Sequence, residues 1–330
     1  MMPRRLVALA LAIGVVGAAC TTEESSNPGP TLTSTTSTTT VPATTTTTAE
    51  TTTTVAASST TSPATTSTAP TGPTDAVVPL LIGGQDGGWL FLGSWQFDRW
   101  VEAVDANGDP VATSMGPGTA VTVSNLRSNA AGQLGEATEA CFDERVGPTV
   151  DVTVPYPEPP GFGYAAVALP TPTWELTPRP LAVSTRAPDA YQALGVGAFD
   201  GQPVDASLGA VEQLVVTDLD GDGDDEALMV FEYVQPDSIR GTPGDLSSVL
   251  LVDAATRDSS TVLQSFVDEG LGPDDFPLIE RFRILDVADY NGDGTMEVAV
   301  HAWYYEGASV IVYEYDGTEL TEVLSTGCGA

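Results

Sequence analysis

The sequence predicts a mainly β protein with two similar units in its C-terminal part. Two acidic, glycine-rich nonapeptides, Asp218–Glu226 and Asp289–Glu297, lie between apolar runs rich in β-branched and aromatic residues, which are typical of strands. Two further runs of this kind follow each nonapeptide, at 249–253 and 261–267 and then at 309–315 and 319–324. The dipeptide Asp316-Gly317 between the last two runs indicates a hairpin turn. Each unit is therefore expected to contain a strand, an acidic loop, a second strand and a hairpin.

Both nonapeptides follow the pattern D-x-(D/N)-G-D-G-x-x-E, with oxygen-bearing side chains at positions 1, 3, 5 and 9. Glycine at position 6 permits the sharp turn that brings these side chains together, and position 7 adds its backbone carbonyl. Hard cations such as Ca²⁺ prefer such oxygen ligands. The sequence thus predicts two Ca²⁺ sites. Their expected ligands are Asp218, Asp220, Asp222, Asp224 and Glu226 in the first loop and Asp289, Asn291, Asp293, Thr295 and Glu297 in the second.

The two loops differ in charge at the ligand positions. The first has a carboxylate at positions 1, 3, 5 and 9, whereas Asn291 replaces one of them in the second. Neighbouring carboxylates repel one another unless a cation neutralises them. We therefore expect tighter Ca²⁺ binding, and a larger loss of stability on emptying, at the first loop.

These nonapeptides resemble the calcium loops of FG-GAP and VCBS repeats, the blade units of integrin-alpha-type β-propellers. Their first residues lie 71 positions apart, which suits one blade with its connections. The Phe-Gly and Gly-Ala-Pro boxes of FG-GAP repeats are not evident, so the looser VCBS pattern fits better. The resemblance implies that residues 181–330 form two blade-like sheets of a partial propeller.

An EF-hand is the main competing interpretation of the loops. It needs a glutamate at position 12 and helices on both sides, but position 12 is Met229 in the first loop and Val300 in the second. The β-branched and aromatic flanks also favour strands, so we reject it. A glycine-rich surface turn that binds no metal stays open as the second alternative.

The N-terminal sequence predicts export. Residues 1–19 contain an arginine pair, an apolar core and a small-residue cleavage zone, as a signal peptide does. Cys20 follows as in a bacterial lipobox, although Gly17 replaces the usual leucine, so simple cleavage and secretion stay open. Residues 20–74 are rich in Thr, Ser and Pro and predict a disordered tether. We expect a protein that faces outside and contacts the cell membrane only through a lipid anchor at Cys20.

Residues 75–180 predict an additional β-rich region, either a small sandwich or degenerate blades. Strands are expected at 77–82, 89–97, 120–126 and 150–154, and Asp105–Asp109 is expected to form a hairpin turn. The region ends in residues 155–180, here called the strap, where eight prolines make a regular central strand unlikely over most of its length. Its aromatic side chains are expected to pack on the domain or to bind a glycan or peptide. One short helix is predicted at 188–194, starting at Pro188.

Two of the three cysteines, Cys141 and Cys328, are left if Cys20 is lipidated, and we expect them to form a disulfide in an exported protein. The only histidine, His301, lies in an apolar strand, and no G-x-S-x-G motif is present. No catalytic residue is therefore predicted. A zinc site is also unsupported by the spacing of His301 and the cysteines.

The charge of the chain indicates which classes of partner the protein can bind. The chain has 330 residues, with 45 acidic against 11 basic side chains and a formal net charge of −34. Such a surface repels nucleic acid. We expect a binding or structural role at the cell surface with an unknown protein or glycan ligand. The alternative is an extracellular hydrolase of glycans or phosphoesters that uses the repeats as a scaffold.

Overall fold

The computed structural model describes residues 77–83, 88–103, 115–141, 146–152, 164–272 and 275–329. Its elements confirm a mainly β protein with one short helix. The strands of the N-terminal part are β1 (Val78–Gly83), β2 (Leu90–Trp95), β3 (Trp100–Glu102), β4 (Ala120–Asn125), β5 (Ser128–Glu139), β6 (Val146–Val152) and β7 (Ala166–Pro170). The others are β8 (Ala182–Ser184), β9 (Ala210–Thr217), β10 (Glu226–Tyr233), β11 (Leu246–Asp253), β12 (Ser259–Phe266), β13 (Arg281–Ala288), β14 (Glu297–Tyr304), β15 (Gly307–Tyr315) and β16 (Leu320–Gly329).

The N-terminal part forms one seven-stranded antiparallel sheet with the order β3-β2-β1-β7-β4-β5-β6. Backbone hydrogen bonds from Gly88 to Glu139 and from Trp89 to Pro148 bring the start of β2 against β5 and β6, so the sheet curls. In the described residues this region is one curled sheet, rather than two separate sheets or several four-stranded blades. Alternate residues of β1 face opposite sides: Leu80 packs toward the four-stranded sheet described below and Leu81 inside the curl.

Two strands of this sheet differ from the sequence expectation. The strap contributes β7, which lies centrally between β1 and β4. A central strand forms there because residues 166–169 are apolar and free of proline, and Pro170 falls only at the strand end. The twelve-residue β5 was not predicted, since its sequence SNAAGQLGEATE has almost no β-branched residue. Pairing with β4 and β6 overrides this weak local propensity.

The C-terminal part contains the two expected units as antiparallel meanders. The first is the five-stranded sheet β12-β11-β10-β9-β8, and the second is the four-stranded sheet β13-β14-β15-β16. The four-stranded sheet lies in the middle of the fold. One of its faces shares a core with the seven-stranded sheet, and the other shares a core with the five-stranded sheet. Burial on both faces explains the nearly continuous apolar sequence of β14.

Side chains from the five-stranded sheet satisfy the open edge of β13. The Gln213 amide donates to the Ile284 carbonyl and accepts from the Ile284 N–H, both at 2.9 Å. The Ser247 hydroxyl accepts from the Phe282 N–H at 3.3 Å. On the same edge, the Leu126 N–H donates to the Leu285 carbonyl at 3.2 Å. These bonds protect an edge strand and fix β13 at the junction of all three sheets.

The short helix and the disulfide match the sequence predictions. Helix α1 spans Asp189–Gly197, with Pro188 as its N-cap, and packs its Tyr191 into the core of the five-stranded sheet. Cys141 and Cys328 form a disulfide with their Cα atoms 5.6 Å apart, 187 residues apart in sequence. Within the described part of the chain, no helix is long and apolar enough to cross a membrane.

Several sequence predictions concern residues outside those described. The signal peptide at 1–19, the Cys20 lipidation site and the tether at 20–74 belong to this group. So do the Asp105–Asp109 turn and the strap residues before Tyr164.

Candidate metal centre

Each acidic loop joins two neighbouring strands of its sheet. The first connects β9 to β10, with Thr217 paired to Glu226, and the second connects β13 to β14, with Ala288 paired to Glu297. The glutamate at position 9 is therefore the first residue of the second strand in both units. Strand pairing on either side of the loop holds positions 1 and 9 close together.

The same five hydrogen bonds shape both loops. The carboxylate at position 1 accepts from the N–H groups of positions 4 and 6, and the side chain at position 3 accepts from the N–H of position 5. The carboxylate at position 5 accepts from position 7, and the glutamate at position 9 accepts from position 2. In the first loop the donors are Gly221, Gly223, Asp222, Asp224 and Leu219, at 2.6–3.1 Å. In the second they are Gly292, Gly294, Asp293, Thr295 and Tyr290, at 2.6–3.0 Å.

The glycines at position 6 adopt a backbone conformation that other residues avoid. Gly223 has a φ of 100° and Gly294 a φ of 95°, in the left-handed half of conformational space that favours glycine. A side chain at either position would strain the turn. The glycine in the pattern is thus explained by backbone geometry in both loops.

The first loop gathers three carboxylates at the surface. One oxygen from each of Asp218, Asp220 and Asp222 lies within 4.8 Å of the others. Glu226 is 9% exposed, and burial, with a contribution from the three aspartates, raises its pKa to about 7. The Asp224 side chain is exposed and falls outside this group. Proximity of like charges with a partly buried fourth carboxylate creates a strongly negative site.

The second loop is more buried and includes a residue that the sequence analysis missed. One oxygen from each of Asp293, Glu297 and Glu314 lies within 4.8 Å of the others. Glu314 comes from β15, which pairs with β14. In sequence it is only a polar residue in an apolar strand, 17 positions after Glu297, so the loop pattern gave no signal for it. With Glu314, the second loop also has four carboxylates nearby.

Glu297 carries a buried carboxylate oxygen that lacks a hydrogen-bond partner in the described structure. Its side chain is fully buried, and its Oε2 accepts the Tyr290 N–H at 2.7 Å. Its Oε1 has no hydrogen-bond partner among the described residues. Burial, followed by the charge of Asp293, raises the pKa of Glu297 well above its usual range. A buried carboxylate oxygen without a partner is costly unless a proton or a cation satisfies it.

Two further ligand candidates of the second loop, Asp289 and Asn291, are also buried. Asp289 and Asn291 are 1% and 2% exposed. Burial raises the pKa of Asp289 to about 6. The Asn291 amide donates to Asp293 at 3.0 Å, which orients its Oδ1 within the loop. Of the predicted ligands, Asp218, Asp220 and Asp222 lie together in the first loop, and Asp293 and Glu297 lie together in the second. Thr295 contributes the N–H that orients Asp293.

The strap holds both loops from outside. The Trp174 indole N–H donates to the Asp289 carbonyl at 2.8 Å, and the Asp289 N–H donates to the Leu176 carbonyl at 2.8 Å. Arg179 donates to the carbonyls of Asp218 and Leu219. The sequence predicted a strap that packs on the domain, but it did not predict these hydrogen bonds between the strap and the loop backbone. These contacts fix the backbone carbonyls and leave the carboxylates inside each loop.

His301 lies outside both loops and has the packed environment expected for it. It is 1% exposed and stacks on Trp303 with ring centroids 4.9 Å apart. Burial, followed by Arg283, lowers the pKa of His301 to about 3. The imidazole is therefore neutral at physiological pH.

Comparisons with protein-family models, with curated proteins and with solved structures found no match to this chain. The loops and their surroundings are consequently interpreted from their own geometry.

Proposed function

We propose that this protein binds two Ca²⁺ ions through its acidic loops and uses them to stabilise two VCBS-like blade units. The observation that carries the proposal is the buried Oε1 of Glu297, which has no hydrogen-bond partner in the described structure and faces the Asp293 and Glu314 carboxylates. The repeated hydrogen-bond pattern of the first loop extends the same interpretation to that loop. Oxygen-only ligand sets favour Ca²⁺ over softer metals.

The cation has a structural role in this proposal. It replaces repulsion among carboxylates with coordination, and it connects each loop to the strand that follows it. In the second unit Glu314 adds the next strand. The unit becomes stiffer because one ion contacts groups from the β13–β14 loop, from β14 and from β15.

The cellular setting is proposed from the sequence. A signal peptide at 1–19, a lipid anchor at Cys20 and a tether at 20–74 would present the β domain outside the cell membrane. There it would bind a protein or glycan, or contribute structure to the envelope. Expression of the full chain beside Cys20→Ser tests the anchor: the parent should fractionate with membranes and the variant should not.

The alternative hydrolase needs a pair of carboxylates across a cleft. The described structure has a cleft away from the loops, with Glu212 and Glu232 among its lining residues. However, Glu232 receives two hydrogen bonds from Arg281, at 2.6 and 3.1 Å. That bidentate pairing favours a fixed ion pair over a general acid or base, so the geometry supports binding better than hydrolysis.

Thermal unfolding of the full chain tests the calcium proposal. The parent should melt at a clearly higher temperature in millimolar Ca²⁺ than in chelator. Asp222→Ala and Asp293→Ala should each reduce this rise, whereas Asp237→Ala, the same charge change at an exposed site, should preserve it. Identical melting with and without Ca²⁺ would refute the proposal and favour metal-free acidic turns.

A further inference from the structure

A cleft of about 500 Å³ opens where the seven-stranded, five-stranded and four-stranded sheets meet. Cavities of this size commonly bind small molecules. The wall formed by the four-stranded sheet presents Arg281 and Arg283 from β13 and Trp303 from β14. Arg127, in the turn between β4 and β5, lines the cleft from the seven-stranded sheet. Three of the few basic residues of a very acidic chain thus meet in one place.

The arginines that line the cleft differ in their surroundings. Arg281 forms an ion pair with Glu232 at 2.6 Å and lies over the Trp303 ring, 5.2 Å from its centroid. Glu212 also acts on Arg281. Both cleft-lining glutamates therefore act on Arg281. The positive charge of Arg281 is therefore compensated by neighbouring carboxylates.

Arg283 is not compensated in this way. It is half-buried, and no carboxylate among the described residues pairs with it. Burial, followed by the charge of Arg127, lowers the pKa of Arg283. Its cross-strand partner, His301, is buried and neutral. Two arginines therefore share one side of the cleft, and no carboxylate of the described residues lies between them as a partner.

The fold holds these arginines in place. The Leu126 N–H donates to the Leu285 carbonyl at 3.2 Å, which fixes the turn carrying Arg127 beside β13. The Gln213–Ile284 hydrogen bonds fix β13 from the other side. A half-buried cation without a partner lowers stability. Such an arrangement is typical of a site whose partner is a ligand.

We propose that Arg127 and Arg283 bind the anionic group of a small ligand, a carboxylate, phosphate or sulfate, in this cleft. Guanidinium groups match these anions through paired N–H donors. Trp303 and the apolar lining residues, such as Leu126 and Val183, would contact the uncharged remainder of the ligand. This site is separate from the acidic loops and does not depend on Ca²⁺ as its ligand.

Calorimetric titration of the full chain at saturating Ca²⁺ and constant ionic strength tests the proposal. The probes are sulfate, as a free inorganic anion, and glucuronate, as a sugar acid, with glucose as the uncharged match. We expect saturable binding of at least one anion and none of glucose. Arg283→Gln and Arg127→Gln should each weaken it about tenfold or more. Tighter binding of sulfate would indicate a free inorganic anion as the ligand, and tighter binding of glucuronate would indicate a sugar acid.

The control is Arg99→Gln, which makes the same charge change at an exposed residue outside the cleft. It should leave binding unchanged. A thermal melt without ligand separates binding from a structural role: Arg283→Met should melt no lower than the parent if the cation is uncompensated. The proposal is overturned if neither anion saturates below about 10 mM, if Arg99→Gln weakens binding equally, or if Arg283→Met melts well below the parent.

Discussion

The N–H of Met296 donates a hydrogen bond of 2.8 Å to the carbonyl oxygen of Leu219. This bond joins position 8 of the second loop to position 2 of the first. Both side chains are fully buried in the core between the two meanders. The Leu219 N–H in turn donates to Glu226, a predicted ligand of the first loop. A short series of hydrogen bonds through Leu219 therefore connects the two candidate sites.

The first prediction is that the two sites are energetically coupled. Asp222→Ala should remove the first site and also weaken Ca²⁺ binding at the second about fivefold, because Leu219 is then less well ordered against Met296. Calorimetric titration of the full chain gives both constants. Asp237→Ala serves as the charge control. An unchanged second constant in Asp222→Ala would show that the loops bind independently.

The second prediction concerns which of the two loops contributes more to the Ca²⁺-dependent rise in melting temperature. Counting loop carboxylates suggested that emptying the first loop costs more, but Glu314 makes the counts equal and Glu297 is completely buried. We therefore expect Asp293→Ala to reduce the Ca²⁺-dependent rise in melting temperature more than Asp222→Ala does. Thermal melts in chelator and in Ca²⁺ measure both rises. A larger reduction in Asp222→Ala would restore the sequence-based order.

The third prediction assigns Glu314 to the second site. Glu314→Gln keeps the size of the side chain but removes one charge, so affinity at the second site should fall about tenfold. Glu322→Gln is the matched control on the neighbouring strand, where the side chain is exposed. Calorimetric titration should show that the Ca²⁺ affinity of the first site changes only as far as the coupling between the two sites requires. Equal affinities in the parent and in Glu314→Gln would exclude Glu314 as a ligand.

The fourth prediction is a pH dependence from Asp286, which is buried and accepts the Tyr290 hydroxyl at 3.0 Å. Burial raises its pKa from 3.8 to about 6, so the folded state holds this proton more tightly than the unfolded state. Its stabilising contribution is full below the ordinary pKa and is lost as the pH rises through about 6. The difference corresponds to about 3 kcal/mol.

Urea unfolding of metal-depleted protein between about pH 4 and 7 measures this effect. Asp286→Asn should lose less stability than the parent as the pH rises, while Asp237→Asn should follow the parent. The loss that comes from the raised pKa values of Glu226, Asp289 and Glu297 remains in every variant. The lowered pKa of His301 acts in the opposite direction below about pH 6.5, and equally in each variant. Parallel curves for the parent and Asp286→Asn would contradict the prediction.

The fifth prediction concerns the disulfide between Cys141 and Cys328. It closes a loop across 187 residues, for which chain entropy gives an upper value of about 5 kcal/mol. The double variant Cys141→Ser/Cys328→Ser should melt roughly 10 °C lower, by the usual scaling for a domain of this size. Cys20→Ser should melt like the parent. A double variant that melts unchanged would show that the sheets hold the C-terminal strand without the bond.

Local patterns allowed a substantial part of the fold to be predicted. Strands β9 to β16 were found because β-branched and apolar runs alternate with turn signals, and α1 was found from Pro188 and its helix-forming successors. The ten loop residues were predicted as ligands because one nine-residue pattern occurs twice in the sequence. The calcium sites, the family resemblance and the export route stay predictions.

The errors all concern contacts between elements. β5 has little strand propensity, and pairing with β4 and β6, its neighbours along the chain, makes it a strand. β7 lies among prolines, and pairing with the more distant β1 and β4 makes it a strand. Glu314 joins the second loop only because β15 pairs with β14. Arg179 reaches the first loop from 39 residues away.

The sequence by itself determined the β class, the two loops, the helix and the pairing of Cys141 with Cys328, because each depends on short spacing or on a simple count. Only the packing of the folded chain places the four-stranded sheet in the middle, brings an oxygen of Glu314 within 4.8 Å of one of Glu297, and sets Arg127 and Arg283 along one cleft. The physical reason is that the packing of three sheets depends on the total apolar area buried, a sum over the whole chain.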